Sequence, residues 1–356
     1  MMTVLQQIAY ALKKAQGFGN VKSRRLLSYA DCTDRSSFLT SARNLVSEKD
    51  YEAISDAFLS VDFAKTEKEL EDRGIRLIAY GEENYPESLM PYEDMPILLY
   101  CKGDISLLSY PSIAVVGTRF PSSYGKKATE EFVKKLTEYY CIVSGLARGI
   151  DACAHKAALE NNGKTVAVLG CGVDVIYPSG NYELYNEIEK KGLLISEYEP
   201  DDKADAYNFP SRNRIISGLS GGVLVAEAGE KSGTMHTVKC AEKQGKPVYC
   251  VPGSIFSKTS DGCNSLIRDG KAMAVTSAVD VLNDRGVEIK KENVGSVPMD
   301  EDVQMVYGIL RERGESHFDE LADETGLSIP KLSAALIKGE AIGLFTKTKS
   351  NFWSVY

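Results

Sequence analysis

The feature that most constrains this chain is a regular alternation of two kinds of segment between residues 112 and 275. Short, continuous apolar runs such as SIAVVGT, CIVSGLA and KTVAVLGCG are each followed by a longer amphipathic stretch. Such runs are typical of strands buried on both faces, and the stretches between them are long enough to be crossover helices. We therefore predict the α/β fold class, with a doubly wound, mostly parallel sheet covered by helices on both faces.

Residues 1–72 show helical periodicity instead. The segment VLQQIAYALKKA has apolar residues three and four apart, and GFGNVKSRRLL is a glycine-containing turn that leads into a second helix with Lys22, Arg24 and Arg25. Helix pairs of this shape pack a small helical domain in most proteins, and in some they hold a DNA backbone with the amides of the turn. We favour the packing role and keep the DNA role as an alternative.

The end of the chain has a third pattern. Residues 291–298 are polar without periodicity, which predicts a linker after a central domain at 76–290. Residues 299–356 contain a helix, a helix–turn–helix pair and two short strands, the order of a winged helix. Ten acidic and six basic residues lie in this segment, and its candidate recognition helix offers only Lys331 and Lys338. This excess of acidic residues favours a domain that binds a protein over one that recognises duplex DNA.

Composition narrows the classes of function. The chain has 356 residues, a formal net charge of -8 and a pI near 5.2. An acidic protein can still bind nucleic acid, because phosphate binding depends on the local field of one cleft. No apolar run reaches the ~20 residues of a membrane helix, and the N-terminus lacks a signal-peptide pattern, so we expect a cytoplasmic protein. With three histidines and no C-x-x-C pair among eight cysteines, the sequence does not favour a metal site.

Glycines, hydroxyl groups and arginines are concentrated in the loops that follow the predicted strands. These loops share one edge of a parallel sheet, where glycine amides, helix N-termini and arginine guanidinium groups together suit a phosphate. The sequence therefore predicts a phosphate-binding pocket at this edge. The residues concerned are Gly117, Thr118, Arg119, Ser144, Gly145, Arg148, Gly170, Gly172, Arg212, Asn213, Arg214, Gly229, Lys231, Ser232 and Gly233.

The familiar nucleotide and catalytic motifs are missing from these loops. The first loop lacks G-x-G-x-x-G, and neither the Walker G-x-x-x-x-G-K-[ST] motif nor G-x-S-x-G occurs in the chain. His155 follows Asp151 by four residues on a predicted helix, a spacing that suits a catalytic base but is more often a matter of helix packing. No pair of carboxylates stands in a glycine loop. We therefore expect no enzyme activity and no cofactor.

The motifs resemble the DNA-processing protein A family, DprA, also called Smf. The resemblance runs from about residue 80 to 275 through IAVVGTRFPSSYG, IVSGLARGIDACAHKAAL, VAVLGCGVDVIYPSGN and NFPSRNRIISGLSGGVLVAEAGEKSGT. It implies an extended Rossmann-like domain that binds single-stranded DNA, forms a homodimer and loads the RecA recombinase onto incoming strands during natural transformation. The N-terminal helices, which resemble SAM or helix-hairpin-helix domains, and the C-terminal winged helix are common appendages of the family.

The resemblance also assigns residues to the DNA site. The family's G-[ST]-R motif falls on Gly117, Thr118 and Arg119, and its F-P-x-R-N-R motif falls on Phe209 to Arg214. Asn181 ends the Y-P-x-x-N loop, in which this chain has Ser179 where family members often carry a lysine. One expected phosphate contact is therefore missing from this loop.

Two other classes of function stay open. The same superfamily contains small enzymes that cleave nucleoside monophosphates, with a signature that resembles G-G-x-G-T-x-x-E. In this chain SGTMHT places Thr237 where that glutamate would stand, which removes the acid–base group from a nucleotide-binding enzyme or sensor. The third class is a regulator that binds duplex DNA through the winged helix.

Overall fold

The computed structural model describes residues 1–288 and 300–355. They belong to two compact units, Met1–Glu288 and Ile289–Tyr356, which are described separately below. The linker predicted at residues 291–298 lies outside the described residues.

The first unit is built on a sheet of nine strands in the order β1-β2-β6-β5-β4-β3-β7-β8-β9. All neighbours from β6 to β9 in this order are parallel, which confirms the predicted mostly parallel α/β sheet. Strands β1 and β2 were not predicted, and they add an antiparallel edge next to β6. The strands are β1 Arg76–Ala79, β2 Leu98–Gly103, β3 Ser112–Val116, β4 Cys141–Ser144, β5 Thr165–Leu169, β6 Leu193–Ser196, β7 Val223–Val225, β8 Val248–Cys250 and β9 Met273–Ala274.

Helices cover both faces of this sheet and create two apolar cores. Successive residues of β5 point to opposite faces: Ala167 belongs to one core, and Val166 and Val168 belong to the other. The helices of the first unit are α1 Val4–Lys14, α2 Asn20–Tyr29, α3 Arg35–Leu45, α4 Glu48–Ser60, α5 Phe63–Asp72, α6 Ser123–Leu136, α7 Ile150–Glu160, α8 Tyr182–Lys191, α9 Asn208–Leu219, α10 Thr234–Lys243, α11 Asp261–Arg268 and α12 Ala278–Asp284.

The five N-terminal helices share a core with the sheet. Ile8 and Leu12 of α1 are fully buried in the same cluster as Tyr100 and Leu194 of the sheet. The helices predicted for residues 1–72 are thus present, and their apolar surface lies against the α/β unit.

Two of the three basic residues of α2 have partners within the protein, while Arg25 is exposed. Arg24 is buried, donates a hydrogen bond of 2.8 Å to the carbonyl of Met90 and lies 4.2 Å from the centroid of the Tyr80 ring. Lys22 pairs with Asp50 at 3.0 Å. These contacts support the packing role of the helix pair over its DNA role.

The order of the strands creates a switch point beside β3. From β3 the chain proceeds through β4, β5 and β6 on one side, and then returns to β7, β8 and β9 on the other. The loops after β3 and β7 therefore leave the sheet in opposite directions, and a crevice opens between them at the carboxyl ends of the strands. This is the usual place for a ligand in open α/β sheets.

The second unit is small and has its own core. Its elements are α13 Glu301–Arg313, β10 Glu315–His317, α14 Phe318–Thr325, α15 Ile329–Ala341, β11 Phe345–Lys349 and β12 Phe352–Val355. The strands form an antiparallel sheet in the order β10-β12-β11, and Leu310, Leu321, Leu336 and Phe345 are buried beneath it. The three helices and the last two strands follow the predicted order, and β10 is an additional strand that was not predicted. In neither unit does the described chain contain a helix with the length and apolar character needed to cross a membrane.

Candidate phosphate-binding cleft

A cleft of about 1000 Å³ opens at the switch point. One wall is the loop after β3 with Gly117, Thr118 and Arg119, and a second wall is the start of α9. The loop after β7 and the N-terminus of α10 close the far side. Because the first amides of α10 point out of its N-terminus, the cleft has a partial positive charge before any side chain is counted.

The loop after β3 is held so closely that its first residue must be glycine. A Cβ atom on Gly117 would lie 2.8 Å from the carbonyl oxygen of Glu227 and 2.5 Å from the Ile150 side chain. The next amide, that of Thr118, donates a 2.7 Å hydrogen bond to the same carbonyl. The loop is thus fixed against β7 and α7, and this positions the side chain that follows.

That side chain is Arg119, which is exposed on the rim of the cleft. Its guanidinium carbon lies 5.7 Å from the centroid of the Phe209 ring. No carboxylate among the described residues forms a salt bridge with it. Arg119 therefore presents an uncompensated positive charge next to an aromatic face, and both a phosphate and a stacked base could use this pair.

Two aromatic rings extend this surface. Phe209 and Tyr177 stack at 5.4 Å between ring centroids with an interplanar angle of 29°. Phe120, directly after Arg119, is 78% exposed and also lines the cleft. The motifs assigned Phe209 but not Tyr177, Phe120 and Lys258, which line the same cleft. The available signal was Phe120 directly after Arg119 and Tyr177 in the YPSGN loop, since proteins that bind single strands place aromatic rings beside cations.

The position of Arg212 revises its predicted role. The side chain is 3% exposed, and its Nη1 donates hydrogen bonds to the carbonyls of Gly145, at 2.7 Å, and of Val168. These two bonds tie the ends of β4 and β5 to α9. The guanidinium therefore pins the loops to the core, and the donors of Nη1 are not free for a phosphate.

Asp151 is the charge partner of Arg212 inside the core. Burial raises the pKa of the Asp151 carboxyl, and the nearby Arg212 guanidinium and the amides of Ala147 and Gly145 act in the opposite direction. The Gly145 amide donates to this carboxylate at 3.2 Å. Asp151 and Arg212 both belong to the wall of the cleft, so an ionised Asp151 offsets part of the positive field of Arg212.

The structure separates the other predicted site residues into two groups. Gly117, Thr118, Arg119, Phe209, Arg212, Asn213, Ser232 and Gly233 line the cleft, as do Gly229 and Lys231. Ser144, Gly145, Arg148, Gly172, Asn181 and Arg214 do not line it. Whether the first group contacts DNA stays a prediction.

Most of the second group stabilises the loops. The Ser144 hydroxyl is buried and donates to the Val115 carbonyl at 2.7 Å, and Asn181 donates to the Leu146 carbonyl at 3.0 Å. The amide of Gly172 donates to the Asp202 carbonyl at 2.8 Å. Arg214 was predicted to bind phosphate, but its Nη2 pairs with Glu197 at 2.6 Å, outside the cleft. Arg148 is exposed, so its charge stays available at the surface.

Two groups near the cleft that could serve in acid–base chemistry, Glu227 and His155, have structural partners, whereas the exposed His236 and the half-buried Asp261 line the cleft itself. Glu227 is buried, and its carboxylate accepts hydrogen bonds of 2.8 Å from both the amide and the hydroxyl of Ser122. His155 is fully buried, and its Nδ1 lies 2.7 Å from the Thr165 hydroxyl, while burial lowers the pKa of the imidazole to about 3. Thr237 lines the cleft where the hydrolase signature has its glutamate. Across residues 1–288 and 300–355 no three metal-ligating side chains come together.

Comparisons with known proteins agree with this geometry. The DNA processing protein DprA of Streptococcus pneumoniae is 39% identical over 281 residues, which cover 79% of this chain and 98% of that protein. DprA of Bacillus subtilis is 41% identical over 225 residues, which cover 63% of this chain and 74% of its own. The solved structure of the S. pneumoniae protein matches 81% of this chain and 99% of its own, with a TM-score of 0.72 and 38% identity.

Together, the fold and the cleft define a Rossmann-like protein that carries an arginine and stacked aromatic rings at its switch point. The family described as DNA recombination-mediator protein A matches residues 76–286. This chain therefore belongs to that family, which confirms the resemblance seen in the sequence. The structure of Helicobacter pylori DNA processing protein A, described for its mode of binding single-stranded DNA, matches 59% of this chain and 95% of its own at 34% identity, with a TM-score of 0.54.

Proposed function

We propose that this protein binds single-stranded DNA in the cleft and loads the RecA recombinase onto the strand in DNA processing and natural transformation. The observation that carries the proposal is Arg119, exposed and unpaired by any described carboxylate, above the stacked pair of Phe209 and Tyr177. Proteins that bind single strands generally combine cations that contact the phosphates with aromatic rings on which the bases stack. The family membership and the single-strand binding described for the H. pylori relative support the same proposal.

The cleft suits a strand without strong sequence preference. Its lining includes Arg119, Lys231 and Lys258 together with hydroxyls, groups that suit phosphates, although Glu230 and Asp261 also line it. Stacking on Phe209 accepts every base, because every base has a π-face. We propose accordingly that affinity grows with strand length and falls as salt releases counterions, with a slope of about 0.7 per phosphate contact.

The assembly and location of the protein belong to the same proposal. We propose a homodimer in the cytoplasm, with RecA as the partner that receives the strand. The family resemblance supports these assignments. The second unit is proposed to be a winged helix with a protein partner. Its α15 carries only Lys331 and Lys338, and Lys338 is already paired with Asp300 at 2.7 Å.

We also propose that the protein turns over no nucleotide. The glutamate of the hydrolase signature is replaced at Thr237, and the buried Glu227 and His155 are engaged in structural hydrogen bonds. AMP would then act at most as a weak competitor for the cleft. Release of a free base from AMP, lost on mutation of Arg119, would overturn this proposal.

One binding series tests these functions against each other. Full-length protein is titrated against fluorescent single strands of increasing length, against a duplex, and against a single strand with AMP as competitor. The proposed function predicts that single strands bind more tightly than the duplex or AMP, and that affinity rises with the length of the strand. A preference for duplex sequence would move the site to the second unit. Tight binding of AMP would support a nucleotide sensor.

A further inference from the structure

A second cavity of about 230 Å³ lies in the first unit, between the N-terminal helices and the carboxyl edge of the sheet. Four elements converge on it: α1 with Lys13, α2 with Asn20, the segment after β6 with Glu197, and α9 with Arg214. It shares no lining residue with the larger cleft. An inference about this cavity is therefore independent of the proposed function.

Two cationic side chains, those of Lys13 and Arg214, line this cavity. Lys13 is largely buried, and burial lowers the pKa of its ammonium. The Nζ of Lys13 donates to the main-chain carbonyl of Glu197, while the Arg214 side chain is 13% exposed and pairs with the Glu197 carboxylate. Asp94 lies 3.9 Å from the Nε of Arg214, but its side chain is 60% exposed and the distance is too long for a hydrogen bond. Glu197 is thus the buried carboxylate that faces both cations.

One buried hydrogen-bond donor at this place lacks an acceptor. Arg214 Nη1 is buried without a partner among the described residues. The carboxylate oxygen Oε2 of Glu197 already accepts from Arg214 at 2.6 Å and, at 3.5 Å, from the amide of Asn20. A buried guanidinium nitrogen without an acceptor is unfavourable, so such a donor usually has a partner from outside the chain.

We propose that this cavity is an anion site that binds one phosphate group, held by Lys13, Asn20 and Arg214. The unpartnered Arg214 Nη1 suits a ligand rich in acceptors, and an arginine with an ammonium is a common pair around a phosphate. The volume is below the ~300 Å³ at which pockets for ordinary small molecules begin, which suits a single oxyanion. The phosphate is either free inorganic phosphate or a phosphate of a nucleic-acid strand.

Calorimetric titration of the full-length protein with inorganic phosphate tests the proposal. The informative variant is Lys13→Met, which removes the buried ammonium but keeps a side chain of similar length. The matched control is Lys14→Met, because the Lys14 ammonium pairs with Glu199 and is not part of the cavity. We expect one phosphate to bind wild type and the Lys14→Met control alike, and to bind Lys13→Met at least about tenfold more weakly.

The same titration after saturation with an oligo(dT) strand distinguishes the two sources. If the strand places its own phosphate in the cavity, the Lys13-dependent heat disappears. If the site takes free phosphate, that heat remains. Equal phosphate binding by wild type and Lys13→Met, or no binding by wild type, overturns the proposal. In that case Lys13 only ties α1 to the sheet, and its replacement changes the melting temperature by the same amount with and without phosphate.

Discussion

At the scale of single residues, Arg119 and Arg212 show how two arginines beside one cleft acquire different roles. Arg119 is exposed at the rim, whereas Arg212 is 3% exposed and donates to two main-chain carbonyls. The motif assigned Arg119 from sequence alone. It could not show the direction of the Arg212 side chain, because that direction depends on where the carbonyls of Gly145 and Val168 end after the sheet has formed.

Replacement of Arg119 is expected to weaken DNA binding without affecting folding. Arg119→Gln removes a charge-assisted contact of roughly 1.5–3 kcal/mol, which is at least about tenfold in affinity for single-stranded DNA. The salt slope becomes smaller, and the melting temperature stays nearly unchanged because the side chain is exposed. Fluorescence anisotropy over a salt series measures both quantities. Arg268→Gln is the control, since Arg268 is 71% exposed and does not line the cleft. Equal losses in both variants would contradict a specific role for Arg119.

Replacement of Arg212 is expected to destabilise the fold. Arg212→Ala leaves the carbonyl of Gly145 unpaired, at a cost of about 1–3 kcal/mol for a buried group without its hydrogen bond, and removes a positive charge near the buried carboxylate of Asp151. The loss is smaller in acid, because Asp151, whose pKa is already raised, takes up a proton and no longer needs a counter-charge. Urea unfolding at neutral pH and about pH 5 measures this difference. An unchanged unfolding free energy together with weakened DNA binding would restore the role first predicted for Arg212.

At the scale of elements, the strand–helix alternation was sufficient to predict β3 to β8 with their helices. The carboxyl-edge loops followed from that topology, which is why most of the predicted site residues line the cleft. The hairpin of β1 and β2 was missed, because its strands are linked by a proline-containing loop and not by a crossover helix. The coverage of the sheet by α1 was missed as well, since an amphipathic pattern does not reveal which surface it covers.

The contact between α7 and β5 predicts a dependence of stability on pH. His155 is buried and neutral against Thr165, with a pKa of about 3 in the folded protein. The unfolded chain protonates this imidazole near its ordinary pKa of about 6.5, so acid favours unfolding. The unfolding free energy is expected to fall by roughly 2 kcal/mol between about pH 7.5 and pH 5 through this group.

A histidine variant isolates that contribution. His155→Gln keeps a hydrogen-bond donor near Thr165 but cannot titrate, so its unfolding free energy should lose this part of the pH dependence. The exposed His236 provides the control variant His236→Gln, which should behave as wild type. The same slope of stability against pH in the His155→Gln variant would show that other groups cause it.

At the scale of the whole molecule, the division of the chain into two compact units leads to a prediction for truncated proteins. A protein of residues 1–288 contains every residue that lines the cleft and should keep the single-strand affinity and the melting temperature of that unit. A protein of residues 76–288 loses Ile8 and Leu12 from the shared core, so it should melt lower and bind more of a hydrophobic dye. Loss of strand binding in a folded 1–288 protein would place the main DNA site in the second unit.

The open position of Arg119 on a chain of net charge -8 has a consequence for how fast a strand arrives and leaves. Beyond about 10 Å in 0.1 M salt, a strand experiences mainly the repulsion of the acidic molecule, and only at shorter range the attraction of the rim. Added salt weakens the repulsion before encounter and the contacts after it. The dissociation rate should therefore increase steeply with salt while the association rate changes little, which stopped-flow fluorescence can measure. Added salt should therefore accelerate the release of a bound strand far more than it slows the binding of a new one.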